Sequence, residues 1–209
     1  IIRRVGDDVL LFSVCFHGIH CGSIVRNADN DILLLIDEVQ TGNGRTGKLY
    51  ACMHYGITPD IVSTAKGLGG GLPIGATLMG EKVACVLGPG DHGSTYGGNP
   101  VCCAGAVSVI KRLTEDFLAE VREKSRFVFS ALENAPGIES VTGMGLMIGI
   151  KTVKPAREVL DTCMAQGVLC LTAKDKVRLL PALNISMEEM EKAMQAEREL
   201  IRKEIWREA

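Results

Sequence analysis

The sequence predicts an α/β fold: a mainly parallel sheet in a first, larger region, then a small carboxy-terminal α+β domain. Three observations carry that prediction. "ILLLID", Ile32 to Asp37, is an unbroken apolar run ending in an acid, which suits a strand buried on both faces of a parallel sheet. "DIVSTA" and "IGATLM" are further short strand-like runs, separated by glycine-rich connections. After Gly137 the pattern changes to shorter strands and helices in alternation.

The elements follow in order. In "NPVCCAGAVSVIKRL", Asn99 can cap a helix and Pro100 suits its first turn. A longer helix is expected over Asp116 to Asn134, where Phe117, Leu118, Val121, Val128 and Leu132 recur at helical spacing and Pro136-Gly137 stops it. "VTGMGLMIGI" reads as one strand, "AREVLDTCMAQG" as a helix closing at Gly167, and "VLCLT" and "VRLLPAL" as two more strands. Ser186 and Glu189 form a capping box before a helix with Met187, Met190, Met194 and Ile201 on one face. The expected domains are 27–135 and 136–209, preceded by an atypical segment, 1–26.

Composition narrows the function. The chain has 209 residues, with 23 basic and 25 acidic ones, so no single-sign field exists to grip nucleic acid or an anionic membrane. The longest apolar runs are too short to span a bilayer. Arg3 and Arg4 are followed by Asp7 and Asp8, which spoil the apolar region of a signal peptide. The eight cysteines contain no Cys-x-x-Cys pair and read as small buried hydrophobes in a reducing, cytoplasmic compartment. Cys15, His17, His20 and Cys21 lie close enough to suggest zinc, but their spacing fits no common zinc pattern; no metal is expected.

Two stretches carry chemistry. "TGNGRTGKL" satisfies G-x-G-x-x-G, and Gly42–Lys48 satisfies G-x-x-x-x-G-K. A phosphate loop, however, needs Ser or Thr after the lysine, and Leu49 stands there. A nucleotide-binding protein using this loop stays as an alternative beside the plainer glycine-rich turn. In "DIVSTAKGLGGGLP", Lys66 follows a strand and precedes a run of small residues. Alone it reads as a solvated lysine. Together with Asp37, at the carboxyl end of the neighbouring strand, it reads differently, because the carboxyl ends of parallel strands face one ligand-binding crevice. A lysine for an aldehyde and an acid for a ring nitrogen are the two protein groups that pyridoxal 5′-phosphate requires.

At these residues the chain resembles a known family. "LLLIDEVQTGNGRTG", "PDIVSTAKGLGGGLPIGATLMGE", "GPGDHGSTYGGNPVCCAGA" and "LTAKDKVRLLPALNI" are similar to the class III, fold-type I aminotransferases, with the acetylornithine aminotransferase branch matching best. The resemblance implies part of a fold-type I large domain plus the small carboxy-terminal domain, with pyridoxal 5′-phosphate as cofactor. It implies that Lys66 holds the cofactor's aldehyde carbon and later moves the substrate proton. Asp37, Glu38, Val39 and Gln40 bind the cofactor: Asp37 at the ring nitrogen, Val39 on the ring face, Gln40 at the ring hydroxyl. Thr95 reaches the phosphate of a neighbouring subunit's cofactor, Ser94 lies near substrate there, and Arg178 pairs with a substrate carboxylate. The implied reaction moves an amino group from N-acetylornithine to 2-oxoglutarate in arginine biosynthesis; the alternatives are ornithine, succinylornithine or 4-aminobutyrate as donor. Family members carry a further amino-terminal half, so this chain is expected to be truncated or frameshifted. It would then work as a homodimer or with a complementing half, or persist as a non-catalytic remnant attached to a full-length subunit.

Overall fold

A computed structural model describes residues 2–4, 9–13 and 33–195, which form two compact units, Ile1–Leu118 and Ala119–Ala209. The division falls inside a helix, upstream of the expected change at 135.

The first unit is built on a five-stranded sheet of β1 (Ile2–Arg4), β2 (Val9–Ser13), β3 (Leu33–Asp37), β4 (Ile61–Thr64) and β5 (Ala76–Met79), in that spatial order. β2, β3 and β4 run parallel, while β1 and β5 are antiparallel to their neighbours. "IGATLM" is therefore a strand as expected, but of reversed direction. The short connection after β4 returns at once, and a parallel pairing would need a crossover of a dozen residues or more. Asp60 ties the start of β3 to β4: its Oδ2 accepts from Leu34 N at 2.8 Å, and its own N–H donates to Leu34 O at 3.0 Å. Ile36, Val62 and Leu68 supply the buried apolar side chains here, whereas all four residues of β5 are exposed.

A short helix, α1 (Glu81–Ala84), follows β5, and α2 (Pro100–Arg112) opens as the sequence predicts. Asn99 Oδ1 accepts from Val101 N at 3.0 Å and Cys102 N at 3.2 Å, satisfying two N–H groups that the helix start leaves unpaired. α2 lies close to the turn after β4. A Cβ on Gly105 would stand 3.2 Å from the Gly69 carbonyl and 2.6 Å from Leu72 Cδ1, so glycine is what permits the approach.

α3 (Glu115–Leu132) leads into the second unit, whose sheet has the order β6 (Ile138–Met144), β7 (Met147–Thr152), β9 (Lys176–Leu179), β8 (Leu171–Ala173), all antiparallel. "VTGMGLMIGI" is thus a hairpin, not one strand: Met144 pairs with Met147 around a two-residue turn at Gly145-Leu146. The turn hides in the sequence because apolar residues flank it on both sides. α4 (Ala156–Ala165) packs on β8 and β9, and Gly167, with φ of 81°, carries the chain out. The core gathers Val121, Val128 and Leu132 of α3, Leu146, Ile148 and Ile150, Cys163 of α4, and Val177. Each large apolar side chain buried there contributes about 1.5–3 kcal/mol. The capping box forms in full at the start of helix α5, over 187–195, where Ser186 Oγ accepts from Glu189 N and Glu189 Oε2 accepts from Ser186 N. Met190 and Met194 of that helix are buried. Lys124, which carried no signal in the sequence, is also buried here and donates to the Leu183 carbonyl at 3.1 Å.

No described helix is long and apolar enough to cross a membrane. Among the described residues no group of His, Cys, Asp and Glu could hold a metal, and the cluster Cys15, His17, His20, Cys21 lies outside them. The described cysteines are all free thiols; Cys52, Cys163 and Cys170 are buried.

Candidate functional site

The parallel pairing of β3 with β4 sets the geometry. Asp37, last in β3, is registered against Ser63, and Lys66 follows three residues later, roughly 10 Å of extended chain. The two chemical groups thus emerge at the same end of adjacent strands. Asp37 Oδ1 accepts from Val39 N at 2.9 Å, an Asx-turn that bends the chain out of the strand, and from Ser63 Oγ at 3.3 Å. Oδ2 has no partner among the described residues and faces an exposed site. One carboxylate oxygen is anchored and the other is open to accept from a ligand.

Lys66 begins a 3-10 turn, Lys66–Gly69, with φ of 49°. A non-glycine residue in the left-handed region costs about 1–3 kcal/mol and persists only where its surroundings hold it. The lysine side chain is exposed and its amine has no partner among the described residues. Its position just past the strand is as the sequence indicates. An open carboxylate oxygen and an unengaged amine at the same end of adjacent strands suit a group with a protonated ring nitrogen at one side and an aldehyde at the other.

Glu38 sits elsewhere. Strand alternation turns it to the side opposite Asp37, and it is fully buried. Its Oε1 accepts from Cys52 N at 2.8 Å and its Oε2 from Thr41 Oγ1. A side chain with no accessible surface cannot touch a ligand, so Glu38 holds the loop together from within. The burial that surrounds it, together with its own charge and a hydrogen bond to it, pushes the Cys52 thiol up to about 11. Val39 is half-buried and Gln40 exposed at the same strand end as Asp37.

The glycine-rich loop after β3 is not an anion cradle. Gly42 N donates to Glu38 O at 2.9 Å, Gly44 N to Leu49 O at 3.4 Å, and Gly47 N to Gly44 O at 2.9 Å. The N–H groups of all three glycines are spent internally, Thr41, Asn43 and Thr46 are buried, and only a five-residue 3-10 turn, Ala51–Tyr55, follows. A phosphate site needs outward N–H groups at a helix start. The nucleotide alternative for Gly42–Lys48 loses its physical basis.

Ser94 and Thr95 lie in the exposed loop between α1 and α2, where Gly97 N donates to Ser94 O at 3.3 Å; neither side chain has a partner among the described residues. Arg178 is in the second unit, on β9, half-buried and alternating with the buried Val177 and Leu179. Sequence reasoning missed Asn43, whose side-chain amide bonds Thr64 Oγ1 and the Ala65 carbonyl. Its one signal was its place between two glycines.

The class-III aminotransferase family is matched by residues 25–201. An acetylornithine aminotransferase of Haemophilus ducreyi is 51% identical over 166 residues, 78% of this chain and 42% of the relative. One from Methanothermobacter thermautotrophicus is 43% identical over 171 residues, 79% of this chain and 44% of the relative. Among solved structures, the N-acetylornithine aminotransferase from Stenotrophomonas maltophilia superposes with a TM-score of 0.75 at 35% identity, covering 86% of this chain and 49% of that one. The ornithine aminotransferase from Toxoplasma gondii gives 0.80 at 30% identity, covering 88% and 46%. The chain therefore spans under half the length of the curated relatives it matches.

Proposed function

The chain belongs to the class-III aminotransferase family, a family of pyridoxal 5′-phosphate enzymes of fold type I, and from that premise we propose that it carries the lysine and ring-nitrogen half of a transaminase site. The observation that supports this most directly is the emergence of Asp37 and Lys66 at one end of adjacent parallel strands. When bound, pyridoxal 5′-phosphate supplies an aldehyde carbon and an electron-withdrawing ring. The open oxygen of Asp37 would hold the proton on the ring nitrogen, while the Asx-turn and Ser63 fix the carboxylate through its other oxygen. The Lys66 amine, presented by its strained turn, would be the group that holds the cofactor's aldehyde carbon, with loss of water, and would serve as the base for the proton on the amino-bearing carbon of the substrate. Val39 would supply apolar surface beside the ring and Gln40 a hydrogen bond at its hydroxyl.

The proposed donor is N-acetylornithine and the acceptor 2-oxoglutarate, supported by relatives of that name at 51% and 43% identity. Ornithine, succinylornithine and 4-aminobutyrate are the competing donors, and Arg178 is proposed for a substrate carboxylate. Ser94 and Thr95 sit in an exposed loop, and Tyr96 beside them is 83% exposed, which supports their acting toward a second copy or a complementing half.

The test is reductive trapping. The chain is incubated with pyridoxal 5′-phosphate, reduced with borohydride, digested and mapped by mass spectrometry. Lys66 is expected to take the tag ahead of every other lysine, and Asp37→Ala to lower its share. Tag spread evenly over surface lysines would end the assignment. Glutamate production from 2-oxoglutarate with each donor, by the chain alone and with a second chain supplying the other half, then ranks the substrates.

A further inference from the structure

Asn43 is a buried polar residue that the chemistry assigned so far does not use. Asn43 is 5% exposed, sits at φ of 55° in the loop after β3, and reaches across to the end of β4. Its Nδ2 donates to Thr64 Oγ1 at 2.9 Å and to the Ala65 carbonyl at 3.0 Å. Ala65 immediately precedes Lys66. The same carbonyl accepts from Leu68 N at 3.1 Å, the bond that closes the turn Lys66 begins. Asn43 Cβ also lies 3.6 Å from where a Cβ on Gly67 would stand, so the side chain abuts the turn itself.

The other end of the amide is the informative one. Asn43 Oδ1 is buried and has no hydrogen-bond partner among the described residues. Turning the amide over would set two carbonyl oxygens against each other at Ala65, so the NH₂ must stay where it is and Oδ1 must go without. A buried acceptor left unpaired is unfavourable. The residue is held for where its donors point, not for its own satisfaction. Few residues meet the demands of the position: two donations to oxygens, no buried charge, and tolerance of a left-handed backbone.

We propose that Asn43 is a positioning residue for Lys66: its amide fixes the peptide plane between Ala65 and Lys66 and thereby the direction from which the lysine amine meets an aldehyde. Thr64 Oγ1 steadies the amide by accepting from it. The proposal rests on the assignment of Lys66 to the cofactor aldehyde.

Three variants of the full chain test it: N43G, which keeps the left-handed backbone and loses both donations; N43D, which keeps the shape and loses both; and T64V, which removes only the Thr64 partner. Each is incubated with pyridoxal 5′-phosphate, and three quantities are read: the share of borohydride-trapped tag on Lys66, the pH at which the bound chromophore's absorbance shifts, and the exchange rate of the Leu68 amide. Far-UV circular dichroism sets equal folded populations. In N43G and N43D the Lys66 tag falls about tenfold and Leu68 exchange rises about tenfold, the factor that loss of one such buried bond carries. Their absorbance transition also moves, which a merely structural residue would not cause. T64V, which retains the bond to Ala65, stays within about threefold of the parent. The proposal is overturned if N43G and N43D trap and titrate like the parent. If the parent chain itself does not favour Lys66, the assignment of that lysine fails first, and the proposal goes with it.

Discussion

Replacing Glu38 by alanine removes the centre of the loop that presents Asp37. The side chain is fully buried, and its carboxylate is the acceptor for Cys52 N and Thr41 Oγ1. In E38A the hydroxyl and the N–H both remain buried without that acceptor. Each orphaned group costs about 1–3 kcal/mol, so the sum is about 2–6 kcal/mol, before any cavity is counted. E38Q keeps the carbonyl acceptor for Cys52 N and lets the Thr41 hydroxyl turn and accept instead, at a cost of about 1 kcal/mol. Urea unfolding resolves the two, read by labelling of the Cys52 thiol, which is buried beside Glu38 and reports opening of this unit alone. With a slope of roughly 2 kcal/mol per molar, E38A lowers the midpoint by about 1–3 M and E38Q by about 0.5 M. A midpoint for E38A matching the parent, or equal losses for the two variants, would refute the claim that the carboxylate is an internal clamp.

Two further outcomes follow from single close contacts and from burial. Gly143 has φ of 140°, and a Cβ there would stand 2.1 Å from the Met147 carbonyl, so G143A breaks the β6–β7 hairpin; thermal unfolding followed by far-UV circular dichroism should show a loss of about 2–5 kcal/mol. Burial and the neighbouring Glu38 push the Cys52 thiol from 9.0 to about 11. The folded state therefore favours the protonated thiol. Its contribution to stability is complete below pH 9 and is lost as pH rises through about 11, and peptide-mapped alkylation should find Cys52 unreactive at pH 8.5 while exposed Cys85 reacts.

Much of the local structure was legible because it is written in short-range chemistry. The Asn99 cap, Pro100, the Ser186–Glu189 box and the helical spacing of α3 all appear where their residue types place them. What the sequence left open is of another kind. "IGATLM" has the composition of a strand in either direction, and only pairing with β4 decides that it runs back. Gly145-Leu146 turns the chain inside an apolar run that looks continuous. Lys124 gives no warning that it will be buried against the Leu183 carbonyl, 59 residues away.

The site divides along the same line. Residue order alone determined that an acid ends one strand, that a lysine follows the next, and that this chain belongs to a family built on that pair, because those facts depend on neighbours in sequence. Tertiary structure decided which of the adjacent acids, Asp37 and Glu38, faces outward and which becomes a clamp, since strand alternation sets opposite faces but only packing says which face is covered. It decided also that Asn43 would reach Ala65 across 22 residues of chain. A hydrogen bond of that kind depends on two strands lying side by side, which no local propensity encodes.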